Sequence, residues 1–332
     1  MVHSLMSPQD QNAPPTRKAP RKSRLGLALG SGSARGWAHI GVLRALQELG
    51  IKPDIVVGTS AGALVGGSYV SGQLDALEKW VRSIGKLDVI RMMDIAPARG
   101  GVISGSRLFD AFRQIANDIE IENLPLAFTA VATEFETGRE VWLQDGSLHE
   151  AVRASISVPG LFSPFSYQGT WLVDGGLVNP VPISVCRALG ADRVIAVNLS
   201  GDLTNRNTQL TQPASFFGDD PLALEDTFAR LPPALRDRIQ GPARFFLSPR
   251  SSEKEKAPSF FDVIAGSINI MQDRVTRSRM AGDPADILIE PRLEGIRLLD
   301  FDHAREAIME GHAATERMRS ALESLVSPQD AS

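Results

Sequence analysis

One cysteine, Cys186, stands among the 332 residues. A lone cysteine excludes an intrachain disulfide framework and a cysteine-rich metal site, and it fits a reducing compartment. No run of about 20 apolar residues occurs, so no stretch reads as a transmembrane helix. The N-terminus lacks the apolar core of a secretory signal. Neither sign of charge dominates: 35 Lys and Arg against 39 Asp and Glu leave a formal charge of -4. Nothing global therefore points to nucleic acid. Histidine is also sparse, with five residues, and no group of ligating side chains has metal-site spacing. These absences favour a cytoplasmic chain with no metal and no cofactor, and leave its oligomeric state unread.

What is present is an ordinary globular composition, 43% hydrophobic and 22% charged. Residues 1–24 are rich in proline and polar residues, with a basic run at Arg17, Lys18, Arg21, Lys22 and Arg24. They read as a disordered, solvated tail, or as a transient electrostatic contact with anionic headgroups at the inner membrane. Order begins with the apolar run Leu25–Leu29, followed by a glycine-rich turn and the helical spacing of Ile40, Leu43, Leu46 and Leu49, with Gly50 as a stop. DIVVGTSAGALVGG repeats the strand–turn–helix pattern. This alternation predicts a mainly parallel sheet covered by helices.

Further along, Leu74–Ala116 is mainly helical by periodicity, broken at PARGGVISG. PLAFTAVATEF, REVWLQ, WLVDGG and RVIAVNLS read as strands, and Asp145–Ser157 and VPISVCRALG as helices. Residues 201–258 are an irregular insertion or lid, too long for an ordinary connection, and Phe216, Phe217, Phe245 and Phe246 in it need an apolar partner. Residues 259–326 read as an α/β extension packed on the same domain, with a helix, the strand ADILIEP and one long final helix. Residues 327–332 form a tail.

Three elements carry chemistry. Gly58-Thr59-Ser60-Ala61-Gly62 is G-x-S-x-G between a strand and a helix, a sharp turn that exposes the serine hydroxyl above the sheet edge. The bland reading is a glycine-rich turn with a capping serine. Gly30, Ser31, Gly32, Ser33, Ala34, Arg35 and Gly36 form the second element. A dinucleotide fingerprint fails there, because Arg35 takes the third glycine position, and no P-loop lysine follows. An oxyanion hole from the N–H groups of Gly32 and Ser33 fits better, each such donor lowering a barrier by about 3 kcal/mol. Arg35 holds the loop or meets a phosphate. Asp174-Gly175-Gly176 is the third element, an acid at a strand end or a plain Asp-Gly turn.

In this order, the glycine-rich loop with Arg-Gly, G-T-S-A-G and D-G-G resemble the patatin-like phospholipase family. HIGVLRALQELGI, ISGSRL, RASISVPGLFSP and DGGLVNPVP extend the likeness over Leu25–Leu199, and residues 25–200 are the expected catalytic domain. The closest likeness is to bacterial members with an extended C-terminal part. The resemblance implies a three-layer α/β/α sandwich and a lipid ester substrate. It implies Ser60 as nucleophile, Asp174 as its base, and Gly30–Gly36 as the oxyanion loop. Ser31 and Ser33 depart from it, since many members have glycine there.

A Ser-His-Asp triad is the chemical rival. An α/β-hydrolase places its histidine after the acid, and only His303 and His312 qualify, both in a charged helical pattern. The rival from another class is a lipid-binding or regulatory module of the same fold. Trp37, Phe162, Phe165 and Trp171 are candidates for an acyl-chain groove.

Overall fold

The computed structural model describes residues 23–92, 101–103, 106–115, 117–201 and 260–326. The expectations for residues 1–22, 202–258 and 327–332 lie outside them.

The chain opens with β1 (Leu25–Leu29), α1 (Ala38–Glu48), β2 (Ile55–Thr59), α2 (Ala61–Val70), α3 (Leu74–Val81) and α4 (Lys86–Met92). Then come β3 (Gly101–Ile103), α5 (Ser106–Ile115), β4 (Ala127–Glu134), β5 (Glu140–Leu143), α6 (Leu148–Ser155) and β6 (Gly160–Phe162). β7 (Phe165–Tyr167), β8 (Thr170–Asp174), α7 (Ile183–Ala188) and β9 (Arg193–Val197) follow. The C-terminal part holds α8 (Phe260–Gly282), β10 (Ile287–Ile289), α9 (Ala304–Arg317) and α10 (Arg319–Val326).

The main sheet runs β10-β9-β1-β2-β4-β8-β7, with β5 also on β4. β10, β9, β1, β2 and β4 are parallel, and β5, β7 and β8 pair antiparallel. The parallel strands are continuous apolar runs because both of their faces are buried. Successive side chains divide between two cores. Leu27, Leu29, Val56 and Ile195 face one, and Ala28, Ile55, Val57 and Val194 face the other. α1, α2, α6 and α9 supply the first core, and α7 supplies Ile183, Val185 and Cys186 to the second. The expected layered α/β/α architecture is therefore present. Cys186 is buried, and burial pushes its thiol above the ordinary range.

Three local readings change. Within PARGGVISG, Gly101–Ile103 is a strand that pairs with β6 in a second, two-stranded sheet. Asp145–Ser157 shortens to α6, because the Ser147 hydroxyl accepts from the Glu150 N–H and caps the helix there. The long final helix divides at Met318, whose φ of -100° and ψ of 4° interrupt it.

α1 and α9 touch through their backbones. A Cβ on Gly41 would stand 1.9 Å from the Ile308 carbonyl oxygen, and one on Gly311 would stand 1.9 Å from that of Ala38. Only glycine fits both positions, and rigid backbone cannot yield as a side chain does. Gly311→Ala is expected to destabilise the fold by about 2 kcal/mol or more, read as a lower urea midpoint at unchanged slope. Among the described residues, no helix is long and apolar enough to cross a membrane.

Candidate active site

β4 brings two sequence-distant turns together. β2 pairs with β4 up to Thr59↔Val131, and β8 pairs with it from Asp174↔Ala132 onward. β5 covers Ala130–Thr133 and so overlaps both of them. β2 and β8 must then share the opposite edge of β4, end to end. Thr59 and Asp174 thus lie opposite consecutive residues of one strand, and the turn carrying Ser60 meets the turn carrying Asp174.

Ser60 has φ 57° and ψ -122°, a left-handed backbone that a non-glycine residue holds only when its surroundings impose it. The Ser155 hydroxyl accepts from the Ser60 N–H at 2.8 Å and anchors the turn. The flanking glycines answer to close packing: a Cβ on Gly62 would stand 2.1 Å from the Leu29 carbonyl oxygen, and one on Gly58 would stand 2.4 Å from that of Gly62. α2 starts directly after Ser60 and points its N-terminus at the site.

Asp174 is fully buried. Its backbone is tied on both sides, by Asp174 N–H to the Ser157 carbonyl at 2.9 Å and by the Thr133 hydroxyl to the Asp174 carbonyl at 2.8 Å. A Cβ on Gly175 would stand 2.2 Å from the Val131 carbonyl oxygen, which fixes how closely this turn lies on β4. The Gly176 N–H donates to Asp174 Oδ1 at 2.6 Å. Burial raises the Asp174 pKa to about 7, against the lowering effects of the Ser60 hydroxyl and the Gly176 N–H. Asp174 Oδ2 nonetheless makes no hydrogen bond of full geometry. The Ser60 hydroxyl is thus close enough to act on the carboxyl without a hydrogen bond of full geometry, and catalytic hydrogen bonds commonly tighten only when substrate is bound.

The glycine-rich loop separates its N–H groups into spent and unspent. Gly30 N–H donates to Val197, Ser31 N–H to Pro180, Ala34 N–H to Leu298 and Arg35 N–H to Gly32. Those of Gly32 and Ser33 have no acceptor among the described residues. These are the two named from the sequence as oxyanion donors. The loop is pinned from the C-terminal part, because the Leu298 carbonyl accepts both the Ser33 hydroxyl at 2.6 Å and the Ala34 N–H. It is pinned from within by His39, fully buried, whose Nε2 lies 2.8 Å from the Gly30 carbonyl oxygen. Burial lowers the His39 pKa to about 4, so the ring is neutral near pH 7 and donates Nε2–H to that carbonyl. Arg35 is 4% exposed. Burial lowers its pKa to about 10, opposed by the charge of Asp300. It belongs to the packing of the loop.

A cleft of about 440 Å³, open mouth included, runs from Ser31–Ser33 between Val158–Leu161 and α8, where Ile264, Ile268 and Gln272 line it. Arg153 braces the Val158–Leu161 wall, donating to the Ser157 hydroxyl at 2.7 Å and the Ser163 carbonyl at 3.2 Å.

The family model for patatin-like phospholipases matches residues 27–187, a span holding the loop, Ser60 and Asp174. An uncharacterized NTE family protein of Mycobacterium tuberculosis is 33% identical, over 90% of this chain and 92% of its own length. The chain belongs to the patatin-like phospholipase family. A second NTE family protein of that organism is 32% identical over 91% of this chain and 47% of its own length. Patatin-like phospholipase domain-containing protein 6 of Homo sapiens is 33% identical over 55% of this chain, a match covering 14% of that larger protein.

In this member of the patatin-like phospholipase family, the aromatic candidates for an acyl-chain groove stand away from the cleft. Trp37 is buried against Trp80 and Phe301, and Trp171 is 49% exposed. Neither they nor Phe162 and Phe165 line the cleft, whose apolar wall is Val158, Leu161, Ile264, Ile268 and Leu298. The aromatics sit in core and on surface, as aromatic side chains usually do. His303 lies beside Asp302 and His312 beside Glu48, and neither bonds to Ser60. Glu48, His312 and Glu316 cluster with ligand atoms within 4.8 Å. Sequence spacing hid this trio because Glu48 comes from α1. His312 and Glu316 are already engaged, with Glu48 and Arg319. His39, Arg153, Gln272 and Leu298 were not picked out from sequence. His39 alone had a signal, following the glycine loop at short range.

Proposed function

We propose that the protein is a serine hydrolase of lipid carboxylic esters, of phospholipid or lysophospholipid type, working by a Ser60–Asp174 dyad. The observation that carries this reading is the buried Asp174 carboxyl beside Ser60, with the unspent N–H groups of Gly32 and Ser33 at the same site. An aspartate at its ordinary pKa is a poor base at neutral pH. Raised to about 7, Asp174 is matched to take the Ser60 proton. Ser60 Oγ then attacks the ester carbonyl, and the Gly32 and Ser33 N–H groups hold the oxyanion. The alcohol leaves with the proton from Asp174, and the acyl group remains on Ser60. Water reverses these steps and frees the acid. No metal or cofactor is needed for this chemistry.

Family membership supports lipid as the substrate class, and the apolar wall at Ile264, Ile268 and Leu161 suits an acyl chain. A cytoplasmic chain with transient contact at the inner membrane fits that substrate. The test is a lipid panel of phospholipids, lysophospholipids, acylglycerols and acyl thioesters, run beside Ser60→Ala, with fluorophosphonate labelling in parallel. Release of fatty acid by the wild type alone, with labelling, is expected. Folded protein that neither labels nor releases acid on any lipid would favour a lipid-binding module.

A further inference from the structure

The Ser31 and Gln272 side chains lie within the molecule, each residue 6% exposed. Neither makes a side-chain hydrogen bond among the described residues. Both border the cleft. They also gather with Asp174 around Gly176 at the edge of the cleft. Gly176 has no side chain, and a Cβ there would stand 2.4 Å from Gln272 Nε2, 2.8 Å from Asp174 Oδ1 and 2.9 Å from Ser31 Oγ. The three atoms complement an oxygen that carries a proton. The amide donates, the carboxylate accepts and the hydroxyl does either. Neither side chain is among the sealed, unpartnered polar groups of the described residues, so both stand open to a polar ligand arriving through the cleft.

Along α8, Ile264 and Ile268 precede Gln272 at intervals of four residues on the face bordering the cleft. At 1.5 Å per residue, Ile264 lies about 12 Å from the Gln272 level. The apolar end of the cleft therefore lies away from Asp174 and the polar end beside it. We propose that Ser31 and Gln272 hold, against Asp174, the alcohol oxygen that leaves in acylation and then the water that attacks in deacylation. The same corner serves both because deacylation retraces acylation, with water entering where the alcohol left. In the second step the water oxygen bonds to the acyl carbon and gives a proton to Asp174. The Ser60 Oγ–acyl bond then breaks, and Ser60 Oγ takes that proton back. Ser31 thereby gains a side-chain role.

This inference rests on the Ser60–Asp174 reading, and p-nitrophenyl acyl esters separate the two. Phenolate leaves without needing a proton, so acylation bypasses the corner while deacylation does not. In full-length Gln272→Leu, a burst of about one phenolate per enzyme is expected, then a steady state at least about tenfold slower than wild type. The Tm should stay close to the wild-type value, since leucine fills a similar volume. Ser31→Ala should show the same pattern more weakly. Steady-state turnover at the wild-type rate in Gln272→Leu, with Ser60→Ala inactive, overturns the corner alone. So does a burst that falls together with the steady state and the Tm, which marks a structural role. Turnover surviving in Ser60→Ala, or none in the wild type, overturns the dyad as well.

Discussion

Ser60→Ala is expected to lower ester turnover by about 10⁴-fold or more, the scale on which serine hydrolases lose activity without their nucleophile. The fold should not suffer. The change removes only Oγ, and the turn is held by backbone contacts that remain, such as Ser60 N–H to Ser155 and the Ala63 and Leu64 N–H groups to the Ser60 carbonyl. Alanine inherits the left-handed φ of 57°, so the strain of the turn persists. Ser60→Gly relieves it and should unfold at a higher temperature than either, with equally little activity. Matched thermal melts and initial rates on one ester check all three proteins. An inactive Ser60→Ala with a collapsed melt would assign the residue to structure instead.

Asp174 connects activity and stability to pH in opposite ways. As the base it must be ionised, so kcat/KM should fall about tenfold per pH unit below a pKa of about 7. Asp174→Asn should lose about 10⁴-fold at every pH. For stability, the folded pKa of about 7 lies above the ordinary aspartate value of 3.8. Between the two, the native state keeps a proton that the unfolded chain releases. Stability from this group is full below pH 3.8, falls as pH rises to about 7, and is constant above. Asparagine removes that loss. Asp174→Asn should therefore be more stable than wild type above pH 7, by an amount on the order of a few kcal/mol. The advantage should shrink on acidification and disappear below about pH 4. The difference between the two proteins' melting curves across pH isolates this group from other carboxylates. A parallel pair of curves would mean that Asp174 is not held near pH 7.

The architecture was legible where burial leaves a plain signature. LGLAL, DIVV and RVIAV read as strands because parallel strands buried on both faces are continuous apolar runs. Ser60 was visible because a strained turn between strand and helix demands Gly58 and Gly62 around it. Asp174 was not legible as a neighbour of Ser60. Its position depends on β8 running against β4 just beyond the end of β2, and strand order leaves no trace in local sequence. The family likeness supplied what periodicity did not. Trp37, Phe162, Phe165 and Trp171 could be read from sequence as groove or as core, because aromatic content does not tell which face a side chain takes, and none of them lines the cleft. Ile264, Ile268 and Gln272 reach the cleft from a helix whose register against β6 and Gly176 is a tertiary fact. His39 is the intermediate case. Its distance from Gly30 follows from the turn, whereas its full burial depends on the layers above.

The central claim is a covalent acyl intermediate on Ser60. Its most direct measurement is rapid acid quenching of the protein with a long-chain ester, followed by peptide mass spectrometry of the segment containing Gly58–Gly62. The predicted result is the mass of one acyl group on Ser60, present in wild type, stronger in Gln272→Leu and missing from Ser60→Ala. Steady ester hydrolysis with no adduct, or with the adduct on another residue, would contradict it.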